Sequence, residues 1–527
     1  MSRLVSRLVA SSVCCVLAAT TVPTSAQVPT LQRTTPLGIP AGVTTTLRLS
    51  GAGLTDIREI WTTFPTVTPV EVVAADPKAK ADPTRAALRV HPTADAVPGI
   101  YALRIAAAGG VSNLRLLLID DLPTVAEAST NVDPRTPQKL QPPIAVDGTC
   151  TGESTDYFEF HAAAGERLSF EVVAKRIASP LDPLLRLLDA KGNVLAEADD
   201  DFVVGADARL TYQFAAAGDY RLELRDIRYG GGAGHIYRLR VGDFPLVATP
   251  FPAAAAKGAK TEFEMTPLAP LGSAKSAKLD VSAVSVPKDY ADAVMPLVAQ
   301  YRKGQGSGFS SVLVSDKAER IEAEPNDAPK QATPLAVDGA MNGRFDRPRD
   351  RDYYKLSGKK GDKLRIAGRT RSLGSPTDLY LQLYDATGTK LLAETDDSGT
   401  DEGVLNATLD AAGDYLLAVE DLIGRGGPEF VYRLEVSPSK PGFTAAIDQE
   451  KFDVPYGGLA TTKVTVVRSG YDGDIKFRVE GPPGIEVDGA VASGKTDGVV
   501  LLAVPPEYAS GSLLNVRLIG EGADGVT

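Results

Sequence analysis

Ala217-Gly218-Asp219-Tyr220, followed by Leu222 and Leu224, and Ala412-Gly413-Asp414-Tyr415, followed by Leu417 and Val419, are two versions of one phrase in a 527-residue chain. In each, Ala-Gly-Asp marks a turn, and the tyrosine opens a run in which alternate residues are apolar. A period of two puts every second side chain on one face of an extended strand, so each phrase predicts a half-buried β-strand leaving a turn. The parallel continues in both directions. Upstream, Ala145-Val146-Asp147-Gly148, Asp156-Tyr157, Gly165-Glu166-Arg167-Leu168, Ser179-Pro180-Leu181-Asp182, Asp189-Ala190-Lys191-Gly192 and Ala198-Asp199-Asp200 have their partners. These are Ala336-Val337-Asp338-Gly339, Asp352-Tyr353, Gly361-Asp362-Lys363-Leu364, Ser375-Pro376-Thr377-Asp378, Asp385-Ala386-Thr387-Gly388 and Thr395-Asp396-Asp397. Downstream, Tyr237-Arg238-Leu239 answers to Tyr432-Arg433-Leu434. The drift in spacing is that of loop insertions, so residues 125–243 and 319–438 are two copies of one domain.

Alternation recurs within each copy, at Phe158/Phe160, Leu168/Phe170/Val172 and Leu210/Tyr212/Phe214, and again at Leu364/Ile366 and Leu379/Leu381/Leu383. Turn signals separate these runs, which predicts antiparallel sandwiches rather than a parallel sheet. Tyr220 and Tyr415 are expected in the core or at its corner. Residues 28–123, 244–318 and 441–527 alternate in the same way and read as immunoglobulin-like sandwiches, the last of them without an obvious closing strand and so expected to be truncated. A short helix is expected around Asp289–Tyr301. The expected fold class is all-β: tandem sandwich domains, jelly-roll-like in the two copies, alternating with immunoglobulin-like ones.

Composition narrows the function. The formal net charge is −11, and such a surface repels phosphate backbones, which argues against nucleic acid as a partner. Arg3 and Arg7, the apolar stretch Leu8–Ala19 and the small residues Thr24-Ser25-Ala26 read as a signal peptide over residues 1–26. No later apolar run is long enough for a membrane span. The expected location is therefore secreted, periplasmic or at the cell surface. Cys14 and Cys15 belong to the leader, which leaves Cys150 without a cysteine partner in the mature chain. A small buried or loop residue is the expected role of Cys150.

Glu322-Ala323-Glu324-Pro325-Asn326-Asp327, Asp352-Tyr353-Tyr354, Leu383-Tyr384-Asp385, Glu394-Thr395-Asp396-Asp397 and Gly413-Asp414-Tyr415 give the second copy a resemblance to the bacterial pre-peptidase C-terminal domain. The first copy resembles it less closely. The resemblance implies a jelly-roll-like sandwich in a secreted bacterial protein, a non-catalytic appendage that elsewhere accompanies proteases and other enzymes. In collagenases a relative binds collagen through tyrosines on one sheet face. The matching strand here reads Leu417-Ala418-Val419-Glu420-Asp421, so collagen is not the expected ligand.

Glu322, Glu324, Asn326 and Asp327 also place four oxygen-bearing side chains within six residues. Pro325 biases Glu324 toward extended backbone, which would align Glu322, Glu324 and Asn326. Calcium takes six to eight hard oxygen ligands in flexible geometry, and this cluster supplies several of them. In calcium-binding relatives the segment folds back on acids before the Asp-Tyr-Tyr strand, which implies Asp352 and, less directly, Asp350 or Asp346 as further ligands. A solvated acidic linker ending in an Asn-Asp turn is the plainer alternative. The first copy keeps Glu127 and Asn131 but has Ser129 and Val132 where the second has Glu324 and Asp327, so one calcium site is expected, not two.

Catalytic motifs fail on context. Gly489-Ala490-Val491-Ala492-Ser493-Gly494-Lys495-Thr496 spells a phosphate loop, but Asp497-Gly498 and the apolar run Val499–Val504 follow. That is a hairpin strand where phosphate binding needs a helix N-terminus. His91, His161 and His235 lie in separate strand or loop contexts, and neither a zinc-helix motif nor a nucleophile elbow occurs. The expected function is that of a non-catalytic binding or spacer protein whose partner is an extracellular polysaccharide, an envelope polymer or another protein. The alternative is an accessory region, substrate-targeting or chaperone-like, of a secreted peptidase or other hydrolase.

Overall fold

The computed structural model describes residues 27–74, 82–271, 279–280, 283–301, 303–396, 402–509 and 511–523. The leader and Asp397 lie outside these. Among the described residues the chain is built from β-strands, with three short 3-10 turns and no α-helix. Among these residues no helix is long and apolar enough to cross a membrane.

The two copies have the same topology. In the first, one sheet runs Thr124–Ala126, Ile144–Thr149, Ile236–Gly242, Arg167–Val173, Arg209–Gln213 in spatial order. The other runs Gln138–Lys139, Asp156–Ala162, Gly218–Asp226, Pro183–Leu188, Val194–Ala198. The second copy repeats both orders, with Glu319–Ile321, Gly339–Arg344, Val431–Pro438, Lys363–Arg369, Val404–Thr408 against Thr333–Pro334, Arg351–Gly358, Gly413–Asp421, Leu379–Asp385, Leu391–Thr395. In both, the first strand of each sheet pairs parallel to its neighbour and the remaining pairs are antiparallel. The alternating residues meet between the sheets. Phe158, Phe160, Phe170, Phe214, Leu222 and Leu239 are buried in the first copy, and Tyr354, Leu356, Ile366, Leu381, Leu417 and Leu434 in the second. Burying each such side chain is worth roughly 1.5–3 kcal/mol. Tyr220 and Tyr415 close the cores, their hydroxyls donating to the carbonyls of Ala216 and Ala411 at 2.8 Å.

Residues 289–301 are not helical. Val294–Tyr301 is a strand paired antiparallel with Gly308–Ser315. Val294, Val298 and Tyr301 favour extended backbone, and the neighbouring strand supplies the pairing that a helix would have drawn from within. Residues 442–521 form a six-stranded arrangement that includes the hairpin Glu486–Val491 and Asp497–Ala503. The phosphate-loop text is thus a turn between strands.

The junctions between sandwiches are buried, unlike those of freely strung beads. Gly38–Ile39 pairs parallel to Arg115–Ile119, and Ala254–Ala256 pairs in the same sense to Gly308–Ser315. Just before each short strand, a backbone N–H crosses to the following sandwich. Leu37 donates to Asp147 Oδ2 at 2.7 Å, and Ala253 donates to Asn342 Oδ1 at 3.0 Å. Asp147 and Asn342 occupy equivalent positions, each opposite an arginine on the next strand, Arg238 and Arg433. Both arginines are buried. Arg238 Nε donates to Asp120 Oδ2 at 2.7 Å and Arg240 Nε to the same oxygen at 3.1 Å. Arg433 meets Glu319 at 2.7 Å and Ser315 Oγ at 3.3 Å. The repeated unit is therefore a pair of sandwiches with a common joint. The last sandwich touches the first, where Val111 N donates to Asp453 Oδ1 at 2.9 Å and Arg104 meets Glu450 at 3.2 Å.

Candidate metal centre

The second copy receives its incoming segment along Gly339–Arg344, parallel to Glu319–Ile321. Glu322 follows at once. Its Oε1 accepts the Arg344 backbone N–H at 2.6 Å, and its Oε2 accepts the Tyr354 hydroxyl at 2.6 Å, the Tyr432 hydroxyl at 3.1 Å and Asn326 Nδ2 at 3.2 Å. The Tyr353 N–H holds the Asn326 carbonyl at 2.9 Å, tying the turn to the strand that carries Asp352. The Tyr432 hydroxyl is equally within reach of Asp352 Oδ2, so its one hydrogen goes either there or to Glu322. Gly343 leaves room for this tyrosine, since a β-carbon there would sit 2.2 Å from its ring.

Glu322, Glu324 and Asp352 each bring a carboxylate oxygen within 4.8 Å of the other two. Asn326 and Asp352 are fully buried and Asp350 nearly so. Asn326 Oδ1, both carboxylate oxygens of Asp350 and Asp352 Oδ1 are buried without a hydrogen-bond donor. Unpaired buried acceptors on this scale are costly, and each requires an explanation. Burial pushes the Asp352 carboxyl up to about 9, with repulsion from Glu322 adding to it. Burial likewise raises Glu322 to about 7. Glu324 and Asp350 are raised as well, by burial first and then by neighbouring acids.

Asp327 lies beside Asp350, and its charge reaches Glu324. Its Oδ1 accepts Arg347 at 2.6 Å, and Arg347 lies 3.5 Å from Asp350. Asp346 is turned to Arg344 at 2.8 Å. The structure thus brings together the carboxylates of Glu322, Glu324 and Asp352, with Asn326 bonded to Glu322 and with Asp350 and Asp327 adjoining, the latter also partnered by Arg347. The donors are all oxygens, the set that a hard divalent cation takes.

A second feature was not readable from one strand. The outward side of Gly413–Asp421 carries Leu416, Ala418 and Glu420, without an aromatic, as its sequence indicates. The flanking strands supply tyrosines instead: Tyr353 pairs with Ala418, and Tyr380 and Tyr384 lie on the other side, around Gln382. Arg351 Cζ lies 5.5 Å from the Tyr353 ring centre. In the first copy these places hold Tyr157, Glu223, Leu184, Leu188 and Arg186, and the surface is tied by the Arg186–Glu197 ion pair at 2.5 Å.

A tandem all-β chain with an all-oxygen acidic centre in one sandwich is the class defined by this geometry. Residues 350–421 match the family described as bacterial pre-peptidase C-terminal domain. Over 100 residues the chain is 37% identical to a probable subtilase-type serine protease of Deinococcus radiodurans, an alignment covering 18% of this chain and 14% of that protein. Among solved structures, the pre-peptidase C-terminal domain of a Bacillus anthracis collagenase is 19% identical, covering 20% of this chain and 94% of that one at a TM-score of 0.17. A Bacteroides ovatus protein from a mixed-linkage glucan utilization locus, solved with a mixed-linkage heptasaccharide, is 10% identical. It covers 77% of this chain and 74% of that one at a TM-score of 0.16. These TM-scores are too low to carry an argument about fold or ligand.

Proposed function

We propose that the chain is a non-catalytic secreted or cell-envelope binding and spacer protein, made of two pre-peptidase-C-terminal-like sandwiches between immunoglobulin-like ones, with a structural calcium ion in the second copy. Glu322, Glu324, Asn326, Asp350 and Asp352 would hold the ion. The observation that carries this reading is the set of buried oxygens on Asn326 and Asp352 that accept no hydrogen bond, beside an Asp350 carboxylate whose sole cation, Arg347, stands 3.5 Å off. A cation supplies what they lack and relieves the crowding of carboxylates around them. Bound there, it would fasten the segment after Glu319–Ile321 to the body of the sandwich. Secretion accords with the family match, whose members typically occur in secreted bacterial proteins. His161 pairs with Asp219 at 2.9 Å on an exposed surface. The partner is an extracellular polysaccharide, envelope polymer or protein.

Calorimetric titration of the whole chain with calcium tests the metal. Saturable binding of one ion, abolished or weakened at least tenfold in Glu324→Ala, is expected. No heat at millimolar calcium, or an unchanged isotherm in the variant, would refute it. The 37% identity to part of a subtilase-type protease favours one second reading, an accessory region that delivers a peptidase to its substrate. Co-purification with a peptidase from the producing cells, with faster cleavage of an insoluble substrate when the chain is present, would favour that reading.

A further inference from the structure

The first copy keeps half of the acidic centre. Glu127 takes the place of Glu322: Glu127 Oε2 accepts the Thr149 backbone N–H at 2.9 Å, and Oε1 accepts Asn131 Nδ2 at 3.2 Å. The Tyr157 N–H holds the Asn131 carbonyl at 2.8 Å, the same clasp as Tyr353 makes on Asn326. Asp156 stands where Asp352 stands, and Tyr237 where Tyr432 stands. Gly148, like Gly343, has no β-carbon to strike the tyrosine ring, which would lie 2.2 Å away. The remaining acids of the centre are gone. Ser129 and Val132 are exposed, and Ser154, in the place of Asp350, turns to Thr151 at 2.7 Å.

Donors and acceptors do not balance in what remains. The Tyr237 hydroxyl lies 2.9 Å from Glu127 Oε1 and 2.9 Å from Asp156 Oδ2. It has a single hydrogen and can donate to only one of them. Asn131 is 1% exposed and its Oδ1 has no donor. Besides these residues, the site is faced by Asp226 and by Cys150, whose thiol is a weak donor to Asp156 Oδ2 at 3.6 Å and carries no charge to offset the carboxylates. His235 faces Asp226, and no lysine or arginine pairs with Glu127 or Asp156 among the described residues. Two carboxyl groups, one amide oxygen and one hydroxyl are too few for calcium. The smallest positive charge that closes the gap is a hydrogen ion.

We infer that the first copy holds a proton where the second is proposed to hold a metal: Asp156 keeps its hydrogen at neutral pH, and the protonated acid, with Glu127 and Tyr237, fastens segment 124–131 to its sandwich without calcium. Burial, and then the Glu127 charge, raise the Asp156 carboxyl to about 8, in keeping with this. The two copies would then respond to different conditions, one to calcium and the other to alkalinity.

Infrared difference spectroscopy of the whole chain tests this directly, because a protonated carboxylic acid has a carbonyl band that a carboxylate lacks. Calcium is kept saturating so that the second centre is ionised. Should the chain bind no calcium, the Asp352→Asn background silences that centre instead, so failure of the metal reading is scored separately. The band is expected at pH 7, fading toward pH 10, and lost at pH 7 in Asp156→Asn. That variant replaces the acid with an amide of the same shape. If it does not fold, Glu127→Gln carries the same test. A band unchanged in the variant, or no band at pH 7, overturns the inference. So does a second bound calcium per chain that disappears in Asp156→Asn.

Discussion

Asp352 is the residue on which the chemistry of the second copy turns. With no ion, its carboxyl and that of Glu322 are held above their ordinary values by burial and by each other. Folded, they bind more protons than the unfolded chain does between about pH 4 and their raised values. The calcium-free protein is therefore expected to lose stability as pH rises through that window, by up to about 1.4 kcal/mol per pH unit for each proton concerned. Calcium takes only the ionised groups. Its binding should release roughly one to two protons per ion at neutral pH and tighten as pH rises from 6 to 9. Titration in buffers of different ionisation heat measures that release; none at pH 7 would count against Asp352 and Glu322 as ligands. Glu322, Glu324, Asn326 and Asp352 could be singled out in the sequence because they lie in a short acidic run and a repeated Asp-Tyr phrase. The engagement of Asp327 by Arg347 could not. A contact between side chains twenty positions apart leaves no periodic trace.

At the scale of strands, the glycines that precede the tyrosine contact matter more than their turn-free setting suggests. Gly343 and Gly148 lie inside strands, opposite Tyr432 and Tyr237. Replacing either with alanine forces a β-carbon to within 2.2 Å of a buried tyrosine ring. Gly343→Ala is expected to cost about 1–3 kcal/mol in denaturant unfolding and to weaken calcium binding. Gly148→Ala should destabilise similarly but leave the calcium isotherm unchanged. Alternation made most strands legible, since one buried face imposes a period of two whatever the partner strand is. It did not reveal which strands lie side by side. For that reason the tyrosines of two strands, Tyr353 on one and Tyr380 and Tyr384 on the other, could not be seen to flank Ala418. The helix expected at 289–301 failed for the same cause, because its decisive partner, Gly308–Ser315, is supplied by tertiary pairing.

For the molecule as a whole, the decisive interactions are those between sandwiches. Asp120 is fully buried and meets Arg238 and Arg240, both also buried, while Arg240 continues to Glu171 and the Ser307 carbonyl. Asp120→Ala leaves two guanidinium groups short of a counter-charge and is expected to cost about 3–5 kcal/mol. Calorimetry should show residues 27–243 melting as one unit in the wild type and as two in the variant. Two resolved transitions in the wild type would refute the coupling. None of this was legible beforehand: Asp120 and Arg238 are ordinary residues of two separately alternating segments, and only their meeting gives them weight.

The joint has a further consequence for the second copy. The sheet containing Gly339–Arg344 and Val431–Pro438 is the one that meets the preceding sandwich through Asn342 and Arg433. The tyrosines stand on the opposite sheet. Joint and tyrosines thus lie on opposite sides of one body, so packing through Asn342 and Arg433 does not cover the tyrosine-bearing sheet.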